Sequence, residues 1–140
     1  MGLGFSTKLR TARAFQTLYA LDAGPEPGTL DLFGGKRPET GAALTDQVHL
    51  SGHTLSRPSG RVADGILVFH DISEGFGTSK AGKGTDATWC RFRDGSGLFV
   101  MDGSVTAKGR GGEIQLNSTT IATGSPVKIS PGGMTIEGNF

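Results

Sequence analysis

The sequence predicts a mainly β domain, a β-sandwich or jelly roll of about eight strands preceded by one α-helix. Three observations carry this reading. Glycine supplies 24 of the 140 residues, about one in six against an average near 7%, and these glycines punctuate short apolar runs without a collagen period. Turn signals recur every ~8–12 residues beyond residue 25, the spacing of sandwiches and barrels. Residues 6–23, by contrast, contain neither Gly nor Pro. A partly closed barrel is the alternative architecture. The length fits a single domain with a core that needs no staples. Residues 1–24 are read as an N-terminal helical arm and residues 25–140 as the β-sandwich domain.

In the opening segment Leu9, Ala12, Phe15, Leu18 and Tyr19 recur at three- or four-residue steps, the period of an amphipathic helix with one apolar face. Ser6 or Thr7 can cap its start, and Gly24-Pro25 stops it. Lys8, Arg10 and Arg13 precede its first acid, Asp22. Cations at that end oppose the helix dipole, so the basic half reads either as a solvated face or as a docking surface. Residues 25–28 (PEPG) form a rigid connector.

Residues 29–33 (TLDLF) predict a strand closed by Gly34-Gly35, and residues 36–43 a polar loop. Residues 48–56 read as two short strands split by Gly52, or as one strand bulged there. Residues 61–63 lead into the apolar run 65–70 (GILVFH), a central strand. Residues 73–85 read as a flexible glycine-rich surface loop. Residues 87–93 (ATWCRFR) alternate, with Trp89 and Arg91 on one face and Cys90 and Phe92 on the other. Asp94-Gly95 begins a hairpin turn, residues 98–101 return, and Asp102-Gly103 turns again before residues 104–107. Residues 108–112 form a loop tip. Alternating strands follow at 113–116, 127–130 and 134–137, the last through Met134 and Ile136, with Thr120-Ile121 as a further short strand.

Charge and cysteine usage narrow the function. The formal net charge is +1, without the basic excess of a nucleic-acid-coating protein. The single Cys90 excludes an intramolecular disulfide and a multi-cysteine zinc site. The N-terminus lacks a signal-peptide profile, and no apolar run approaches the ~18 residues of a membrane helix. Gly2 and Ser6 match a myristoylation pattern that is short enough to arise by chance. These features predict a soluble chain, intracellular or assembled from the cytoplasm.

Each candidate for chemistry has a structural reading that outweighs it. Residues 77–83 fit G-x-x-x-x-G-K, but Gly84 stands where the metal-binding hydroxyl belongs, and strand-like residues follow instead of a helix. His49 and His53 are four apart in a segment that reads as extended, so they do not share a helix face. His70 sits beside Asp71 at a strand end. Cys90 lies mid-strand, as a small buried apolar side chain does, and no G-x-S-x-G elbow is present. The carboxylates are scattered through turns. Trp89, Arg91 and Arg93 on one strand face suit base stacking, a protein interface or a packed Trp with an Arg stem. The expectation is no enzymatic activity, no catalytic residue, no cofactor and no metal.

The order of motifs resembles small virion structural proteins of tailed bacteriophages, among them capsid decoration or cement proteins. The resemblance runs from KLRTARAFQTLYALDAG through TLDLFGGKRPETG and DGILVFHDI to ATWCRFRDGSGLFVMDGSV and EIQLNSTTIATGSPVKISPGGMTIEGN. Its residues are turn glycines and alternating apolar positions, so it implies a fold and an assembly role and carries over no functional residue. It implies a jelly-roll protein on the capsid exterior that bridges major capsid protein subunits. A collar, tail or fibre-attachment protein is the alternative. The expected partners are the major capsid protein and a second copy of the chain, a dimer first, with neither nucleic acid nor membrane. Candidate interface residues are Lys8, Arg10, Arg13 and Phe15 on the helix, Lys36 and Arg37, Lys80 and Lys83, and Lys108 and Arg110 on three loops.

Overall fold

The computed structural model describes residues 4–130 and the backbone of residues 133–135. Gly2 of the N-terminal pattern, and Ile136 and Glu137 of the last expected strand, lie outside the described residues. Among the described residues the fold is mainly β, with one α-helix and a curled multi-strand sheet.

Helix α1 spans Thr7–Leu21, with the Ser6 hydroxyl accepting from the Leu9 amide at 3.1 Å, which satisfies one orphan donor of the first turn. Its buried face is Ala14, Leu18 and Leu21, set at i, i+4 and i+7. The expected apolar face is corrected here. Leu9, Phe15 and Tyr19 are 44%, 36% and 60% exposed, because the helix carries two apolar stripes. Small Ala14 lets one of them close against the body.

A central sheet has the order β2-β1-β7-β8-β9, from β1 (Thr29–Gly34), β2 (Val48–Thr54), β7 (Trp89–Arg93), β8 (Phe99–Ala107) and β9 (Ile114–Leu116). All pairs are antiparallel except β8–β9. Residues 48–54 form one strand. Its irregularity lies where Leu32 pairs with Ser51 and Phe33 with His49, so Leu50, not Gly52, is the extra residue.

A second sheet joins β3 (Gly60–Ala63), β4 (Ile66–Phe69) and β12 (Gly133–Thr135) in the order β12-β4-β3. The tight turn between β3 and β4 is Asp64-Gly65, with φ of 53° and 79°, the positive-φ pair that a two-residue hairpin demands. Two-residue ladders join β5 (Gly75–Phe76) to β11 (Pro126–Val127) and β6 (Thr85–Asp86) to β10 (Thr120–Ile121). These pairings give more strands than the sequence predicts.

Two further expectations are corrected. Asp102-Gly103 is not a turn but the middle of β8. Gly103 pairs with Cys90, and a Cβ there would stand 3.3 Å from its sulfur. The 73–85 segment is tied down: Thr78 N–H donates to the Leu50 carbonyl, Gly77 N–H to Ser125 and Thr123 N–H to Gly82. It contains a 3-10 helix at Ser79–Ala81 whose Ala81 is buried.

The main core lies between the sheets and α1. Register places Leu30, Leu32, Cys90 and Phe92 on one face of the central sheet. Leu67 and Phe69 of β4 meet that face, with Phe69 stacked on Phe92 at 5.6 Å between centroids. The helix lies across β3, β4 and β8, and its Thr11 hydroxyl accepts the Gly65 amide at 2.8 Å.

Candidate functional site

The reactive side chains are used to hold the sheet. Cys90 is wholly buried, and burial pushes its thiol up to about 12, so it stays protonated and non-nucleophilic at neutral pH. His49 and His53 stand on opposite faces of the central sheet. On the inner face His53 Nε2 lies 2.9 Å from Ser51 Oγ, and its Nδ1 lies 2.8 Å from the Ser73 carbonyl. This resembles a Ser–His pair, but Ser51 is 0% and His53 3% exposed, which closes it to substrate. Burial lowers the His53 pKa, opposed by the Ser73 hydrogen bond and by Asp31. The neutral ring then donates to Ser73 and accepts from Ser51. His70 is exposed at the end of β4. Among the described residues, no group of three or more His, Cys, Asp or Glu is placed to hold a metal ion.

Trp89 and Arg91 are likewise internal, 1% and 4% exposed, which is the packed-Trp alternative and not an open stacking or docking face. Arg91 reaches Asp102 through both Nε (2.7 Å) and Nη2 (3.0 Å), and lies 5.2 Å from the Trp89 ring centroid and 5.3 Å from that of Phe99. Trp89 stacks on Phe33 at 4.5 Å. The 36–43 loop folds over this end of the sheet. Gly41 N–H donates to Asp102 Oδ2 at 3.0 Å, and Arg37 Nη2 to the Asp102 carbonyl at 3.3 Å. Burial raises the Asp102 pKa, but the hydrogen bonds from Arg91 and Gly41 and the charges of Arg91 and Arg37 outweigh it and hold the carboxyl below its usual value. Farther along the same face Asp31 bridges His49 and Arg93, each at 3.0 Å.

The G-x-x-x-x-G-K segment opens no long helix. Its 3-10 turn ends at Gly82 and leads into β6, so no row of helix amides faces a phosphate there.

The predicted interface residues divide into two groups. Arg10 is half-buried against the β3–β4 turn, and its Nη2 donates to Thr7 Oγ1 at 3.1 Å. Arg13 lies over the Phe5 ring at 4.9 Å, and Arg37 is the strap just described. The rest are exposed: Lys8 and Phe15 on α1, Lys36, Lys80, Lys83, Lys108 and Arg110 on loops. The backbone is held at three of them. Gln47 Nε2 binds the Lys36 carbonyl, Lys108 N–H reaches Leu116, and Arg110 N–H reaches Ala107. The structure joins α1 to the β3–β4 hairpin, the 79–83 turn to β2 and the 108–112 tip to β9.

Sequence reasoning missed Leu9 and Tyr19 as surface groups. The signal was present: Ala14, Leu18 and Leu21 make a second stripe at helical spacing. Among the described residues no helix is long and apolar enough to cross a membrane. No protein-family model, curated protein or solved structure matches the chain.

Proposed function

We propose that the chain is a bacteriophage capsid decoration protein, without enzymatic activity, that binds the capsid exterior and bridges major capsid protein subunits after assembly in the host cytoplasm. In this reading the two packed layers form a β-sandwich of jelly-roll type. The observation that carries it is the set of exposed cations standing on tied-down tips: Lys36, Lys80, Lys83, Lys108 and Arg110. Tips fixed before binding lose little conformational entropy on docking. Each exposed charge contributes only ~0–1 kcal/mol, so strength comes from contact area and from many copies acting on one lattice. The resemblance of the motif order to virion structural proteins supports the same reading.

The test compares virions with and without the protein under heat and chelator. Particles lacking it should assemble but burst at a lower temperature. Equal stability, with the protein localised at the tail, overturns the cement reading in favour of the collar or tail alternative.

A further inference from the structure

Helix α1 breaks two rules of a solvated helix at once. Its inner stripe already fills the contact with the body, yet Leu9, Ala12, Phe15 and Tyr19 run along the opposite side, exposed. Phe15 and Tyr19 stack there at 5.9 Å between centroids. Polar residues would serve folding as well at these positions. The second breach is electrostatic. Lys8, Arg10 and Arg13 occupy the N-terminal half, and the sequence from Thr7 to Leu21 contains no acid. Cations at that end oppose the helix's own dipole.

One arrangement removes both faults. We propose that α1 pairs antiparallel with α1 of a second copy of this chain, through Leu9, Ala12, Phe15 and Tyr19. The inference rests on the self-association expected of an assembly protein and identifies the surface that makes it. The stripe is self-complementary about its middle. Antiparallel pairing sets Leu9 against the partner's Tyr19, and small Ala12 against the partner's Phe15, alternating large and small across the two-fold axis. The charges complement as well. The Lys8 end of one helix meets the C-terminal end of the other, where Arg57 already donates to the Asp22 and Gly24 carbonyls and the Asp22 carboxylate accepts the Ser59 amide, so the exposed Glu26 just beyond is the acid that faces Lys8. A cation badly placed on its own helix is well placed on its neighbour's.

The contact is small. A 15-residue helix is roughly 22 Å long, and one helix face falls short of the ~800 Å² per partner of a standard interface. The dimer is therefore weak in solution, with Kd on the order of 10–100 μM, and is reinforced where a lattice holds copies close.

Sedimentation velocity of the full chain from low to high micromolar concentration tests this. A concentration-dependent dimer is expected. Tyr19→Glu and Phe15→Glu should each weaken it by about tenfold or more, with the thermal melt little changed because these side chains are exposed. Lys8→Glu should weaken it several-fold at low salt, and Lys80→Glu should leave it unaltered. A chain that stays monomeric throughout, or a dimer indifferent to Tyr19→Glu and Phe15→Glu, overturns the pairing. Failure here is separable from failure of the capsid reading. A monomer that still protects particles overturns the pairing alone. A dimer that is absent from particles upholds the pairing and overturns the capsid reading.

Discussion

The two faces of the central sheet are made by the same strands and buried by different physics. The inner face is apolar apart from the Ser51–His53 pair, with Leu30, Leu32, Cys90 and Phe92 packed against Leu67 and Phe69. On the outer face the Arg91–Asp102 pair is as dry as the core, with side chains 4% and 0% exposed, beneath a loop that donates its own Gly41 amide. Apolar burial is non-directional and answers to volume. A buried ion pair answers to whether both partners are present. The inner face should therefore degrade in proportion to the atoms removed, and the outer face should fail when one partner is lost.

The sharpest separation comes from Arg91. Arg91→Ala leaves the Asp102 carboxylate buried without its bidentate partner, and should cost ~3–5 kcal/mol. Phe92→Ala should cost a similar ~3–5 kcal/mol for a different reason, the lost contacts and the cavity. Compensation tells them apart. Replacing both members of the pair, Arg91→Met with Asp102→Leu, should recover most of the loss, because no lone charge remains. Urea denaturation of the three variants decides it. A double variant as unstable as Arg91→Ala would make the two faces alike.

Acid separates the faces by pH. His53 has a lowered pKa, so the folded chain keeps it neutral while the unfolded chain takes up a proton below the ordinary 6.5. Its contribution is complete above that value and is lost as pH falls below it. Asp102 has a depressed pKa, so its contribution is present above the ordinary 3.8 and lost as pH falls through the lower folded value. The inner face should weaken first, between neutrality and mild acid. His53→Gln should flatten that first step and leave the steeper loss at lower pH. A wild-type urea midpoint that is level from pH 7 to 5 would remove the distinction.

The parts legible in the sequence are those set by local pattern. Ser6 marks the helix start, and the runs at 29–33 and 66–69 and the alternation at 89–93 are strands, because periodicity and caps act over a few residues. What escaped was decided by distant partners. Asp102-Gly103 carries turn chemistry, but Arg91 binds the aspartate and Cys90 needs the missing side chain. The extra residue at Leu50 reflects pairing with Leu32 and Phe33, which Gly52 does not reveal. The 73–85 segment reads as flexible, yet Leu50, Ser125 and Thr123 secure it. Exposed cations on the loops were readable because lysine is seldom buried. The exposed stripe on α1 was only half readable, since two apolar stripes on one helix do not say which faces inward.

The smallest effect should come from Asp31, where the chemistry is again Asp with Arg. Asp31 holds Arg93 and His49 at the same 3.0 Å, but the Asp31 and Arg93 side chains are 19% and 27% exposed, and His49 is 40% exposed. Water solvates these charges before and after the pair is broken, so little is gained by forming it. Asp31→Asn should cost no more than ~1 kcal/mol at low ionic strength. The cost should shrink further in strong salt, where the Debye length falls to a few ångströms. Arg91→Ala should keep its full cost under the same salt, because ions do not enter beneath the 36–43 loop. Equal costs at the two positions, or equal salt sensitivity, would mean that the covering loop is not what makes one pair indispensable and the other incidental.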